Sequence, residues 1–406
     1  MSLRFLAHLG MAFSALFCTF FAFSGATDSG FSAPDFVMLE HALATDTAVQ
    51  SLTPPWIPPF ERPLSQLAFD FELDAWGLRA SRFVLAHIFL HTINATLLFA
   101  LFRGPLGPQV AAGAAILFAL GLGFFGESVW RPANLSILLA TTFVLCTGIV
   151  ALRAQLERTP RRRFIATVLT AGLFFLSMLC HEAGVMGLVL LGGLMWPHRR
   201  SLSSVVRKLT LLVVLAAGAV ILQLLRGHGV ADLLLQASTW VTLPVRALHL
   251  LSLMVLPLAA DAAHPSPNVL VQRMLELIHQ TRPITGLFVA GAAVLWFIKA
   301  GGAVRWLLSC LFAFLVPLSL RAPTEPRLQL GEACLPAAFV CGLVALGFYQ
   351  LWHRVGRPLR IVLGVVLVAL LYGELAVVRG FDAQARTAGQ SADSAARMQT
   401  LQAGGD

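Results

Sequence analysis

The chain has 406 residues, of which 57% are hydrophobic and only 12% are charged. Soluble domains carry roughly 25% charged residues, so this composition excludes an ordinary soluble protein. The net charge of +9 comes mainly from arginines in short loops, without a basic patch interleaved with aromatic residues, and this argues against nucleic-acid binding.

Apolar runs long enough to cross a bilayer as helices recur along nearly the whole chain. The first run is expected to be an uncleaved signal anchor, because it is long and a many-span body follows it. The predicted fold is an all-α polytopic membrane domain over residues 1–380, with a polar C-terminal tail over 381–406. Eleven transmembrane helices are predicted at 3–24, 79–102, 107–125, 135–152, 163–180, 183–197, 208–225, 284–300, 304–321, 334–352 and 358–379.

Positively charged loops set the predicted orientation. Four of them, at 153–163, 199–208, 299–305 and 354–360, stay in the cytoplasm together only if the N-terminus is also cytoplasmic. The segment 244–260 has the apolar character of a twelfth span, but as a crossing it would invert every later loop. It is therefore interpreted as a re-entrant or interfacial segment. In this arrangement 18 of the 20 Asp and Glu residues fall in outer segments.

Three outer segments are substantial, at 25–78, 226–283 and 322–333. The first contains a stiff, extended stretch of prolines around Trp56. Short amphipathic helices are predicted on either side of that stretch, near 34–45 and 62–76.

Polar residues at the outer ends of the helices form the candidate site. Charges so near the hydrocarbon are costly unless they are paired or face a wet cavity, which makes them functional candidates. A carboxylate can accept a proton from an acceptor hydroxyl, and arginine binds phosphate through its planar fork. The alternative is that these residues form interfacial ion pairs that only orient helices. The polar positions singled out are Asp35, Arg62, Glu127, Arg131, His181, Glu182, Glu325 and Arg327.

Neither a nucleotide nor a metal site is predicted. The sequence lacks a phosphate-binding glycine loop. His87 and His91 have metal-compatible spacing on the second span, but no third ligand is near in sequence, so a buried structural pair is favoured. The six cysteines lie in or beside apolar runs and are expected to be buried. No cofactor is required by the sequence, and a divalent metal is not expected.

Several stretches occur in an order that resembles a known family. They are APDFVMLEH at 33–41, FERPLSQLAFDFELDAWG at 60–77, HTINATLLFALF at 91–102, ESVWRPANLSILLAT at 127–141, LCHEAG at 179–184 and EPRLQLGEACLPAAF at 325–339. Over residues 1–380 the chain resembles integral-membrane glycosyltransferases of the GT-C superfamily. The likeness is greatest to protein O-mannosyltransferases and to transmembrane-and-tetratricopeptide mannosyltransferases.

The resemblance implies an outward-facing active site, a polyprenyl-phosphate sugar donor in the membrane and an extracytoplasmic acceptor. It also implies a catalytic Asp in the first outer loop. Asp35 would be the acceptor base, with Asp28 as the alternative acid. Glu127 or Glu182 would assist the base. The residues expected to bind the donor are Arg62, Arg131, His181, Glu325 and Arg327.

The chain also departs from the family pattern. Pro34 stands where a second acid is common, His181 replaces a lysine and Leu328 replaces a tyrosine, and no tetratricopeptide repeats follow residue 380. These departures leave open a non-catalytic membrane scaffold.

A transporter or lipid flippase is a further alternative, although the mid-span charges it would need are scarce and Glu374 is the clearest. The preference for Arg over Lys, with abundant Ala and Leu, favours a bacterial source and hence a bacterial cytoplasmic membrane.

Overall fold

The protein is described here from a computed structural model. It covers residues 3–44, 62–121, 129–195, 213–218, 302, 304–308, 311, 334–365, 368, 397 and 399–400. Every regular element within these ranges is a helix. Five helical segments are long and apolar enough to cross a membrane, namely Leu6–Asp28, Ala80–Leu106, Pro132–Leu156, Pro160–Cys180 and Pro336–Arg354. The predicted all-helical, many-span membrane architecture is confirmed at this level.

Nine α-helices have both of their ends within the described residues, and residues 213–218 and 357–365 are also helical. In chain order the nine helices are α1 (Leu3–Phe23), α2 (Ala33–Ala44), α3 (Pro63–Trp76), α4 (Ala80–Leu106), α5 (Pro108–Ala119), α6 (Leu135–Leu156), α7 (Pro160–Cys180), α8 (Met186–Met195) and α9 (Cys334–Arg354). Short 3₁₀ turns at Ser24–Asp28, Pro132–Asn134 and Glu182–Val185 follow α1 and precede α6 and α8.

Helix α4 lies at the centre of the bundle, where it packs against α1, α5 and α6. At its C-terminal end, Phe102 meets the rings of Trp306 and Phe339, each with its centroid 5.6 Å away. Small residues allow the close approach of neighbouring helices. A Cβ atom on Gly148 of α6 would lie 2.8 Å from the Leu190 side chain of α8.

Helices α2 and α3 are too short to cross a membrane, and with Phe31, just before α2, they pack against the N-terminal end of α4. The ring of Phe83 in α4 lies 5.5 Å from that of Phe31, 5.4 Å from Phe69 and 5.6 Å from Trp76, measured between centroids. Pro63 starts α3 and Gly77, with φ 58°, ends it. The predicted amphipathic helices near 34–45 and 62–76 are confirmed to within one residue at each end.

Two predicted spans differ in detail from the observed helices. The run at 107–125 forms α5 only as far as Ala119, and Gly121 follows with φ 73°. The run at 183–197 begins as a 3₁₀ turn and becomes α-helical only at Met186. The count of eleven spans stays a prediction. Four predicted spans lie wholly or largely outside the described residues, at 208–225, 284–300, 304–321 and 358–379. The same holds for the predicted outer segments 226–283, with its segment 244–260, and 322–333, and for the tail 381–406.

Candidate functional site

Asp35 lies in the first turn of α2 and is only 1% exposed. Its Oδ2 atom accepts hydrogen bonds from the backbone N–H of Ser32, at 2.7 Å, and from the Ser32 hydroxyl, at 2.6 Å. The Ser-x-x-Asp spacing is a short form of the capping box, in which an acid three residues on returns to the start of the helix. The local sequence therefore fixes one side of this carboxylate.

The other carboxylate oxygen of Asp35 joins α2 to the start of α6. Oδ1 accepts a hydrogen bond from the backbone N–H of Ala133, at 2.8 Å, in the 3₁₀ turn before α6. Burial raises the pKa of Asp35, while the hydrogen bonds from Ser32 and Ala133 and the charge of Arg131 oppose the rise. The net direction is upward, because loss of water disfavours the charged form most.

Arg131 directly precedes the same turn and is half-buried. Its guanidinium carbon lies 4.8 Å from the centroid of the Trp130 ring, in a cation–π contact. Its positive charge acts on Asp35 in the direction that favours the ionised carboxylate. The predicted acid and one predicted phosphate-binding cation are thus electrostatically coupled.

Arg62 reaches the same region from the start of α3. Its Nη1 donates to Oγ of Ser136, 3.3 Å away, in the first turn of α6. A small cavity of about 30 Å³ lies here, and Arg62, Gln66, Ala133 and Ser136 are among its walls. Asp35 and Arg62 therefore contact opposite ends of the four-residue segment 133–136.

His181 is connected to α3 through the hydrogen bond of its neighbour Cys180. The Ser65 hydroxyl of α3 donates to the carbonyl oxygen of Cys180, at 2.8 Å, and this holds the end of α7 against α3. The next residue, His181, is fully buried, and its Nδ1 accepts from the backbone N–H of Ala183 at 3.0 Å. At this position the chain leaves α7 and enters the 3₁₀ turn Glu182–Val185 that precedes α8.

Gly184 allows that turn to pack against α7. A Cβ atom there would lie 2.5 Å from the Ser177 carbonyl carbon and 2.6 Å from its oxygen, so only glycine fits without a backbone shift. Glu182 is placed by its backbone in the 3₁₀ turn, next to His181. The structure does not describe the Glu182 side chain.

Asp28 is the one remaining predicted site residue whose side chain the structure describes, and it is not part of this cluster. Asp28 is exposed at the end of the first 3₁₀ turn, and it forms no hydrogen bond or ion pair with Asp35, Arg62, Arg131 or His181. The residues Glu127, Glu325 and Arg327 lie outside the described residues.

Sequence reasoning missed the groups that hold the cluster together. Ser32 has a signal, since it stands three residues before Asp35 in a capping pattern. The Ala133 N–H has no such signal in the sequence, because every residue except proline carries a backbone N–H donor. His87 and His91 are both buried, as predicted. Within the described part of the chain, no three His, Cys, Asp or Glu side chains are grouped so that they could hold a metal ion.

No protein-family model matches the sequence. No curated protein matches it significantly. The geometry of the site is therefore what the functional conclusion rests on.

Proposed function

We propose that the protein is a membrane glycosyltransferase that moves a sugar from a polyprenyl-phosphate donor to an acceptor outside the cytoplasmic membrane of a bacterium. One observation carries this proposal. Residues far apart in sequence, Asp35, Arg62 and Arg131, meet around one short turn at the ends of membrane-length helices. A base that feels the charge of Arg131, with the Arg62 guanidinium at the other end of the same short segment, suits a lipid-linked phosphate leaving group.

In the proposed reaction the acceptor hydroxyl oxygen attacks the anomeric carbon of the donor sugar. Its proton passes to Asp35 as the bond from that carbon to the phosphate oxygen breaks. Arg62 and Arg131 neutralise the departing lipid phosphate. His181 directly follows Cys180, whose carbonyl oxygen accepts the hydrogen bond from Ser65 of α3. The raised pKa of Asp35 brings the carboxylate nearer the range in which a general base is effective at neutral pH.

The hydrogen bonding of Asp35 favours one other candidate function. Three donors occupy its carboxylate and water is almost excluded, so the residue also fits a purely structural role that joins α2 to α6. A non-catalytic membrane scaffold would keep this arrangement without any transfer.

Transfer of radiolabel from a panel of polyprenyl-phosphate sugars, catalysed by membranes that contain the full chain, separates the two functions. Asp35→Asn should lower the rate by at least about 100-fold, the usual contribution of a general base. Asp74→Asn, at an exposed acid of α3, is the matched control and should leave the rate unchanged. Membrane insertion and elution in size-exclusion chromatography show that the variants fold.

Undiminished transfer by a folded Asp35→Asn protein would remove Asp35 from the mechanism. Absence of transfer by the natural protein with every donor would contradict the proposed activity and support the scaffold.

A further inference from the structure

A large apolar groove lies between α3, α4 and α6, next to the small cavity beside Arg62. Its volume is about 1180 Å³. Leu135, Leu139 and Phe143 line it from α6 at helical spacing, and Phe89 and Ile93 line it from α4. Phe89 is 50% exposed and Ile93 is 49% exposed, so the groove opens at the side of the bundle. Such a surface on a spanning helix faces lipid.

The length of the groove fits an acyl chain. Arg82 lines it in the first turn of α4 and Ile93 lines it three turns later. At a rise of about 1.5 Å per residue, these positions are about 16 Å apart along the helix axis. Leu135 also lines the small cavity beside Arg62, so this one side chain belongs to the walls of both.

A buried polar pair lies at the α3 end of the groove. Glu72 lines the groove and is 8% exposed, and its Oε2 lies 3.8 Å from Nε2 of His87. That Oε2 atom and both ring nitrogens of His87 are buried without a hydrogen-bond partner among the described residues. Buried polar atoms are nearly always satisfied, because an unmade bond costs about 1–3 kcal/mol. Glu72 is therefore a nearly buried acid in the wall of the groove, and the histidine beside it does not itself line the groove.

A charge of the opposite sign lines the same groove. Arg82 is exposed, and the structure gives its side chain no hydrogen bond or ion pair to any described residue. A headgroup with negative charge alone would bring that charge into a groove that holds Glu72, which disfavours binding. A headgroup that carries both signs would satisfy both residues.

We propose that this groove binds a zwitterionic phospholipid with a primary ammonium headgroup. The phosphate pairs with Arg82, the ammonium donates a hydrogen bond to Glu72, and one acyl chain follows α4 and α6. A primary ammonium has N–H donors for Glu72, whereas a quaternary ammonium has none. This site goes beyond the proposed sugar transfer and does not depend on it.

Native mass spectrometry of the delipidated full chain tests the proposal with three lipids of identical acyl chains. Phosphatidylethanolamine should bind more tightly than phosphatidylcholine, which lacks the N–H donors, and than phosphatidylglycerol, which lacks the positive charge. Glu72→Gln should weaken phosphatidylethanolamine binding about tenfold, the effect of losing a hydrogen bond to a charged group. Arg82→Gln should weaken binding of all three lipids.

Two exposed charges outside the groove supply matched controls. Asp74→Asn and Arg79→Gln should bind lipid as the natural protein does. Ala86→Trp, which fills the groove from α4, should block all three lipids. A natural protein that binds the three lipids equally would overturn the proposal, whether or not a variant folds. A preference for phosphatidylglycerol would also overturn it and assign the groove to an anionic lipid.

Discussion

At the scale of single residues, the central feature is a buried carboxylate whose donors come from two separate segments. Ser32 belongs to the start of α2, and the Ala133 N–H belongs to the turn before α6. Burial still raises the pKa of Asp35 despite these bonds and the charge of Arg131. The folded protein therefore retains the Asp35 proton at a pH where the unfolded chain has released it.

This pKa has a defined consequence for stability. A carboxyl group whose pKa is raised by folding contributes stability that is present below its unfolded pKa and is lost as pH rises through the folded pKa. Apparent melting temperatures in detergent should therefore fall as pH rises above the usual range for aspartate. Asp35→Asn should remove this component, so its melting temperature should vary less with pH, while Asp74→Asn should follow the natural protein. An Asp35→Asn profile parallel to that of the natural protein would contradict the pKa assignment.

At the scale of elements, the hydropathy pattern predicts that a membrane helix exists better than it predicts the residues at which the helix begins and ends. The bounds of α3 coincide with signals that the sequence carries, because Pro63 opens this helix and Gly77 closes it. The C-terminal end of α5 could not be predicted, because Leu122, Gly123 and Phe124 continue the apolar run in the sequence. Hydropathy alone does not show where a helix ends within such a run. Where this helix ends depends on packing, since a Cβ atom on Gly121 would lie 2.5 Å from the Phe23 ring.

The same limit applies to the site. Its charged members could be found in the sequence because charges near hydrocarbon are conspicuous, as Asp35, Arg62 and Arg131 show. The approach of Glu72 to His87 could not be predicted, since His87 was expected to form a buried pair with His91. Glu72 is one of several acids in an outer loop, and His87 is one polar residue in an apolar span. Only the packing of α3 on α4 brings them within 3.8 Å of each other.

The turn between α7 and α8 offers a test of how closely its packing is specified. Gly184→Ala would place a methyl group against the Ser177 carbonyl and should destabilise the protein by roughly 1–3 kcal/mol, as overpacking does. Thermal unfolding should show a lower apparent melting temperature. Gly172→Ala, in α7 itself with no atom near the new Cβ, is the matched control and should be neutral or stabilising. Equal melting temperatures for the two variants would show that the turn shifts at no cost.

At the scale of the whole molecule, α2 and α3 form a layer over the N-terminal end of α4, where the Asp35 cluster lies. The guanidinium carbon of Arg397, a described residue of the predicted tail, lies 6.0 Å from the centroid of the Phe36 ring of α2, so this side chain contacts the layer. The arginine-rich segment 157–163, which links α6 to α7 and includes the first turn of α7, is predicted from its charge to lie on the other side of the membrane. A lipid-linked donor displayed outside the cytoplasm is reachable only if the layer of α2 and α3 is outside.

Labelling of intact cells with a membrane-impermeant maleimide tests that orientation directly. One cysteine added to the natural protein at either of two exposed positions, Asp74→Cys in α3 or Arg161→Cys at the start of α7, reports on one side of the membrane. The natural protein serves as the background control, since its described cysteines are buried or half-buried in helices. We expect Asp74→Cys to react in intact cells and Arg161→Cys to react only after the membrane is opened. Labelling of Arg161→Cys in intact cells, with Asp74→Cys protected, would contradict the account.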